Sequence, residues 1–157
     1  RLLTTDPQRA AQELDDVLVL TRDSLTDVRS TVGKLREPEL SVQLVQARAA
    51  LRSAGITPHL PDTVPSIDAA RRSAFAWILR EAVTNVSRHA RASRVDVTLA
   101  PDRLVVRDDG QGLTGEPSGS GSNGIRERAA AAGGTVVWED NAPGTRLVVT
   151  LPTGAAA

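Results

Sequence analysis

The stretch that most constrains the fold is residues 81–89, which read Glu-Ala-Val-Thr-Asn-Val-Ser-Arg-His. At 3.6 residues per turn, Glu81, Asn85 and His89 fall on one line along a helix. An apolar line beside it predicts a helix packed on a sheet, with the polar line at the rim of the core. The apolar residues are Phe75, Ile78, Leu79, Ala82 and Val86. A carboxylate and a carboxamide one turn apart offer oxygens suited to Mg²⁺. An amphipathic helix with a merely solvated polar flank is the alternative.

The composition argues against several classes of protein. The 157 residues suffice for one domain, or for a domain with an appendage. The 19 basic residues balance 19 acidic ones, and no basic stripe carries interleaved aromatic residues, so we expect no nucleic-acid partner. Cysteine is absent, which removes disulfides and thiolate metal sites. No apolar run approaches a membrane span, so we expect no membrane contact by this chain. Because methionine is absent and the chain begins at Arg1, we expect a piece of a longer protein.

Residues 7–36 carry a regular heptad seam, with apolar residues alternately three and four positions apart. The seam residues are Ala11, Leu14, Leu18, Thr21, Leu25, Val28, Val32 and Leu35. Pro7 suits a first helical position and Pro38 marks the end of the helix. The seam predicts a long bundle or coiled-coil helix that pairs across a dimer. A helix lying on its own domain is the alternative.

The remainder predicts helices followed by a mostly antiparallel meander, which is an α+β fold. Gly55 is expected to terminate the first of these helices and Ser66 to cap the second. The predicted helices are 40–54, 66–90 and 125–132, and the predicted strands are 56–60, 95–99, 104–106, 135–139 and 145–151. Residues 110–124, rich in glycine and serine, are predicted to form a loop. His59 is expected at the surface, without a role.

Asp108-Asp109-Gly110-Gln111-Gly112 directly follows a predicted strand. Glycine allows a sharp turn and a close backbone approach to a ligand. A carboxylate at the strand end can accept a hydrogen bond from an exocyclic amine. An acidic turn without a ligand is the alternative, because Asp-Gly turns are common.

Gly119-Ser120-Gly121-Ser122-Asn123-Gly124 has the form G-x-G-x-x-G, and Asp140 follows at a spacing typical of a ribose-binding acid. A dinucleotide fold is rejected, because that fingerprint requires a strand just before the first glycine. A glycine-rich loop leading into a helix still predicts phosphates near residues 121–125, with Arg126 and Arg128 as helpers. A flexible linker is the alternative.

Taken together, these motifs resemble the ATP-binding domain of sensor histidine kinases, in the superfamily that includes gyrase-, Hsp90- and MutL-type ATPases. E-x-x-x-N-x-x-x-H is similar to its N box, D-x-G-x-G to its first glycine box and G-x-G-x-x-G to its second. Gly144-Thr145 resembles its last adenine-site element. The resemblance covers residues 55–152. Asn-Val-Ser-Arg-His-Ala and Gly-Ile-Arg-Glu-Arg resemble the nitrate-sensor and thermosensor subfamily.

The resemblance implies a Bergerat-type fold, a two-layer α/β sandwich whose mixed, mostly antiparallel sheet is covered by helices. It implies ATP and Mg²⁺ as cofactors, with Asn85 as the magnesium ligand and Glu81 positioning groups around it, both in the catalytic set. Asp108 would bind the adenine amino group, and Thr145 would support it through its hydroxyl. The ATP-binding residues implied by the resemblance are Asn85, Arg88, His89, Asp108, Gly110, Gly112, Gly119, Gly121, Gly124, Ile125 and Thr145.

The implied domains are a partial dimerisation and phosphotransfer helix (1–37), a connecting helix (38–54), the catalytic domain (55–152) and a tail (153–157). The implied reaction moves the ATP γ-phosphoryl to a histidine and then to the receiver domain of a response regulator. A homodimer through the bundle helix and a cytoplasmic location are also implied.

Two departures from the family pattern matter. Ser122-Asn123 stand where the subfamily has an aliphatic residue, so we expect a looser lid or offset glycines. The phosphoacceptor histidine is expected before Arg1, so this chain should bind nucleotide without phosphorylating itself. An anti-sigma-type serine kinase, a dimerising module with a decayed pocket and a gyrase- or MutL-type clamp are the alternatives.

Overall fold

The computed structural model describes residues 39–113, 115 and 117–153. All of them belong to one compact unit, Pro38–Ala157. A π-helical turn, Val86–Ala90, directly follows the helix that ends at Asn85. The helices and strands in chain order are α1 Leu40–Ser53, β1 Thr57–His59, α2 Ala69–Asn85, β2 Arg94–Ala100, β3 Arg103–Asp108, α3 Ser120–Ala131, β4 Thr135–Asp140 and β5 Thr145–Thr150. The heptad helix predicted for residues 7–36 lies outside the described residues.

The five strands of the described region form one sheet in the order β1-β2-β3-β5-β4. β1 pairs in parallel with β2, and the other three pairs are antiparallel. Because successive side chains of a strand point to opposite faces, one face collects the apolar residues. Its buried members on β2, β3 and β5 are Val95, Val97, Leu104, Val106, Leu147 and Val149. The predicted mixed, mostly antiparallel sheet of an α+β fold is confirmed.

The helices supply the other half of the core. Phe75, Ile78 and Leu79 of α2 are fully buried, and the whole predicted apolar line of this helix lies in the core. α1, predicted as a connecting helix, contributes Leu40 and Leu51 to the same core. No helix in the described part of the chain is both long and apolar enough to cross a membrane.

Two predicted helix starts are wrong. α2 begins after Asp68, whose side chain accepts a hydrogen bond from the Arg71 amide at 3.0 Å, and not after Ser66. α3 begins at Ser120, so Gly121 and Gly124 are helical and do not lie in a loop. Burial of Ser122 and Ile125 explains the second difference, because tertiary packing overrides the weak helix propensity of glycine and serine.

Candidate functional site

A cavity of about 570 Å³ lies between the carboxyl end of α2, the inner face of the sheet and the described residues that lead from Gln111 into α3. Most of the residues predicted to bind a nucleotide line it. They are Glu81, Asn85, Arg88, His89, Asp108, Gly112, Gly119, Gly121, Ile125 and Thr145. Gly110 and Gly124 are not among the lining residues. The structure therefore brings together motifs that lie more than 60 residues apart in the sequence.

Asp108 ends β3 and is only 5% exposed. Its Oδ1 accepts hydrogen bonds from the amides of Gly110, at 2.9 Å, and Thr145, at 3.3 Å. Its Oδ2 accepts none from the residues that the structure describes. Every fully buried side-chain oxygen or nitrogen among these residues has a hydrogen-bond partner. Because Oδ2 has none, it is not fully buried and is reachable from the cavity that Asp108 lines. Burial raises the pKa of the Asp108 carboxyl, although the two amides oppose this shift.

Glycine is required where backbone segments close around Asp108. A Cβ on Gly110 would lie 2.0 Å from the Ala90 carbonyl oxygen, and one on Gly144 would lie 1.9 Å from the Asp108 carbonyl oxygen. Gly144 also has a φ of +98°, which other residues rarely adopt. Thr145 contacts Asp108 through its backbone amide, and the role predicted for its hydroxyl stays a prediction.

Glu81 and Asn85 line the cavity beside the start of α3. A Cβ on Gly121 would lie 2.2 Å from Glu81 Oε1 and 3.2 Å from Asn85 Oδ1, so both oxygens lie beside the first turn of α3. Within the described ranges, neither side chain makes a hydrogen bond. Both oxygens are therefore available to a ligand.

These two oxygens are too few to hold a metal ion by themselves, but they suit Mg²⁺, which takes its other ligands from water and phosphates. Among the described residues, no group of three or more His, Cys, Asp or Glu side chains could hold a metal. Mg²⁺ commonly takes one or two protein oxygens and completes its shell with water and substrate phosphates. Asn85, with Glu81 next to it, matches that pattern.

Arg88 and His89 lie in the π-helical turn and are exposed. The turn changes the angular spacing after Asn85, so His89 does not continue the regular line that the sequence predicts, although it still lines the cavity. His59 lies on β1, where its Nδ1 is 3.0 Å from Asp96 Oδ1, and it does not line this cavity.

The amino end of α3 faces the same region. Ser120, Gly121 and Ser122 line the cavity, and Gly119 at the N-cap position provides no side-chain cap. The first amides of a helix carry partial positive charge and favour anions. The predicted helpers Arg126 and Arg128 do not line the cavity.

Both arginines lie instead over tryptophan rings. The Arg126 guanidinium is 4.6 Å from the Trp138 ring centre, and that of Arg128 is 4.4 Å from Trp77. Trp138 and Leu147 form an apolar wall of the cavity that was not predicted from the sequence. The alternation of Val136 and Trp138 along β4 is the signal that could have found it.

No family model matches the chain, but sequence relatives are clear. The chain is 31% identical over 160 residues to the sensor histidine kinase YvfT of Bacillus subtilis, covering 97% of this chain and 43% of that protein. It is 32% identical over 146 residues to the nitrate/nitrite sensor protein NarQ of Escherichia coli, covering 88% of this chain and 26% of that protein. The chain belongs to the sensor histidine kinase family. It spans less than half the length of these relatives.

The fold agrees with that of solved histidine kinase domains. The ATP-binding domain of PrrB from Mycobacterium tuberculosis matches 74% of this chain and 96% of its own, with a TM-score of 0.56 and 22% identity. The sequence relatives, NarQ among them, confirm the resemblance to the nitrate-sensor subfamily of sensor histidine kinases that was inferred from the residues around Asn85 and Ile125.

Proposed function

We propose that the described domain binds ATP together with Mg²⁺ in the cavity between α2, α3 and the sheet. One observation carries the proposal. A buried carboxylate, Asp108, and two oxygen-bearing side chains without hydrogen-bond partners in the described region, Glu81 and Asn85, line the same cavity. The first suits a purine amine, and the other two suit a metal-bound triphosphate.

At the purine end, Asp108 Oδ2 accepts the hydrogen bond from the exocyclic amine of adenine. The amides of Gly110 and Thr145 hold Oδ1 and fix the direction of Oδ2. Ile125, Trp138 and Leu147 offer apolar surface to the base, which increases the gain from burying it.

At the phosphate end, Asn85 Oδ1 would hold Mg²⁺ and Glu81 would position groups around it. The bound ion would supply charge neutralisation to the phosphates. The amides at the start of α3 and the Arg88 side chain provide the remaining positive potential. Phosphoryl transfer requires mainly this kind of positioning and charge stabilisation.

In the whole protein, the γ-phosphoryl passes to a histidine outside the described domain and then to an aspartate of a response regulator. A homodimer through the helix predicted for residues 7–36 and a cytoplasmic location for this domain belong to the same proposal. The serine-kinase alternative is not favoured, because the curated relatives are sensor histidine kinases.

Calorimetry with this 157-residue chain tests nucleotide binding. We expect ATP to bind more tightly with Mg²⁺ than without it, and GTP to bind more weakly than ATP. GTP presents a carbonyl oxygen to Asp108 where ATP presents an amine, so two acceptors would face each other. Absence of heat with both nucleotides would support the alternative of a decayed pocket.

Incubation with γ-labelled ATP tests the place of the phosphoacceptor. We expect bound nucleotide but no acid-labile label on this chain, because His59 and His89 lie on β1 and in the π-helical turn. Label on either histidine would refute that part of the proposal while leaving ATP binding intact.

A further inference from the structure

Three contacts join the loop after β3 to the π-helical turn after α2. The Gln111 amide donates to the Ala90 carbonyl oxygen at 2.9 Å, and Gln111 Nε2 donates to the His89 carbonyl oxygen at 2.9 Å. Gly110 packs against the same Ala90 carbonyl so closely that a Cβ would lie 2.0 Å from its oxygen. The loop that carries the purine-binding carboxylate is thus attached to the segment that carries Arg88 and His89.

The π-helical turn needs partners from outside itself. The last carbonyls of a helix have no partners within it, and Arg91, with a φ of 52°, ends this one. π-helical geometry is rare and usually limited to single turns at functional sites. Gln111 supplies donors to two consecutive carbonyls, His89 and Ala90. One of these donors is a side chain and therefore depends on the residue type.

We propose that Gln111 is a positioning residue that holds the π-helical turn, and with it Asn85, Arg88 and His89, in register with Asp108. This inference rests on the proposed function, because it concerns how the two ends of the nucleotide site are aligned. Asp108 keeps its own hydrogen bonds when the Gln111 side chain is lost, since these come from Gly110 and Thr145. The effect of Gln111 therefore falls on the metal and phosphate end.

The main variant is Gln111→Met, which keeps the length of the side chain but removes the donor without adding charge. The readout is the gain in ATP affinity on adding Mg²⁺, measured beside adenosine affinity in the full 157-residue chain. We expect this gain to fall about two- to tenfold, which is the usual effect of one neutral hydrogen bond. Adenosine affinity should be unchanged.

Two further variants separate positioning from folding. Gln111→Lys restores a side-chain donor but adds a charge to the cavity, so its rescue is judged on NMR signals measured without nucleotide. Gln46→Met makes the same substitution at an exposed position of α1 and should leave every readout at its original value. An unchanged gain in Gln111→Met, or equal losses of adenosine and ATP affinity, would overturn the proposal.

A nucleotide-free measurement keeps the inference separate from the proposed function. In NMR spectra, Gln111→Met should shift the Asn85 side-chain amide and the His89 ring signals, and Gln111→Lys should return them towards their original positions. If these signals do not move, Gln111 does not position the turn. If the original chain binds neither ATP nor adenosine while the signals do move, the proposed function fails and the positioning role stands.

Discussion

The two ends of the cavity are built in different ways. At the purine end, Asp108 is buried, accepts two backbone hydrogen bonds and is enclosed by Gly110 and Gly144. At the phosphate end, Glu81 and Asn85 are half-buried and make no hydrogen bonds to other described residues. Under the proposed function, the chain itself fixes the shape of the purine end, whereas the ligands complete the phosphate end.

This difference predicts which substitutions should change the stability of the fold and which should change ligand affinity. A preorganised site loses little free energy to ordering when its ligand arrives, which favours selective recognition of the base. The same preorganisation makes the purine end part of the fold, so that changes there affect stability as well as affinity. Changes at the phosphate end should affect mainly binding.

The largest effect is expected for Gly144→Ala. A Cβ at this position would lie 1.9 Å from the Asp108 carbonyl oxygen, and the φ of +98° is unfavourable for alanine. Backbone strain and overpacking together should lower the free energy of unfolding by about 3 kcal/mol or more. Urea denaturation followed by circular dichroism measures this loss.

Gly124→Ala is the matched control from the second glycine motif. Nothing lies within 4 Å of its Cβ position, and the residue is helical. Alanine should therefore raise the free energy of unfolding by about 0.5–1 kcal/mol, as it does in helix interiors. Equal destabilisation by the two substitutions would show that the close backbone approach at Gly144 does not specifically require glycine.

The sequence was sufficient to predict most of the cavity, because its motifs are local and its packing follows periodicity. The line from Glu81 to Asn85 is set by helical spacing, and the position of Asp108 by the end of an alternating strand. Their meeting in one cavity could not be read from spacing. It was predicted only through the family resemblance.

Other features depend on contacts between distant segments and were not predictable from local pattern. α3 begins five residues earlier than predicted because Gly121 and Ser122 pack against α2 and the core. The π-helical turn is attached to Gln111, which lies 22 residues beyond His89. The contact of the Thr145 amide with Asp108 depends on the β4–β5 turn, which brings these two segments together.

Asp108→Asn should weaken ATP binding without unfolding the domain. Asparagine keeps an oxygen for the Gly110 and Thr145 amides but turns an amide donor towards the adenine amine. The loss of one charge-assisted hydrogen bond corresponds to about 1.5–3 kcal/mol, or roughly ten- to a hundredfold in affinity by calorimetry.

Asp109→Asn is the control for this substitution. Asp109 is exposed and accepts hydrogen bonds from the Ser93 amide and hydroxyl and from the Arg94 amide. It does not line the cavity, so its replacement should leave ATP affinity unchanged. If Asp109→Asn weakened ATP binding as much as Asp108→Asn, the specific role of Asp108 would be refuted.

The smallest expected effect is a difference between the pKa values of the neighbouring Asp108 and Asp109 carboxyls. Burial raises the pKa of Asp108 above the ordinary 3.8, whereas hydrogen bonds from Ser93 and Arg94 lower the pKa of Asp109 below it. Carboxyl NMR shifts followed against pH should separate the two values in that order. The reverse order would contradict the assignment of Asp108 to the preorganised, desolvated end.

The two shifts have opposite consequences for stability. Just above pH 3.8 the folded state binds more protons than the unfolded state at Asp108, so this residue makes the free energy of unfolding fall as pH rises. Just below pH 3.8 the unfolded state binds more protons at Asp109, so the stability that Asp109 provides is lost as pH falls. Asp109→Asn should therefore reduce the acid-induced loss of stability.

ATP affinity should decline with acid at a higher pH than an ordinary aspartate would give, because protonated Asp108 no longer presents a charged acceptor to the base.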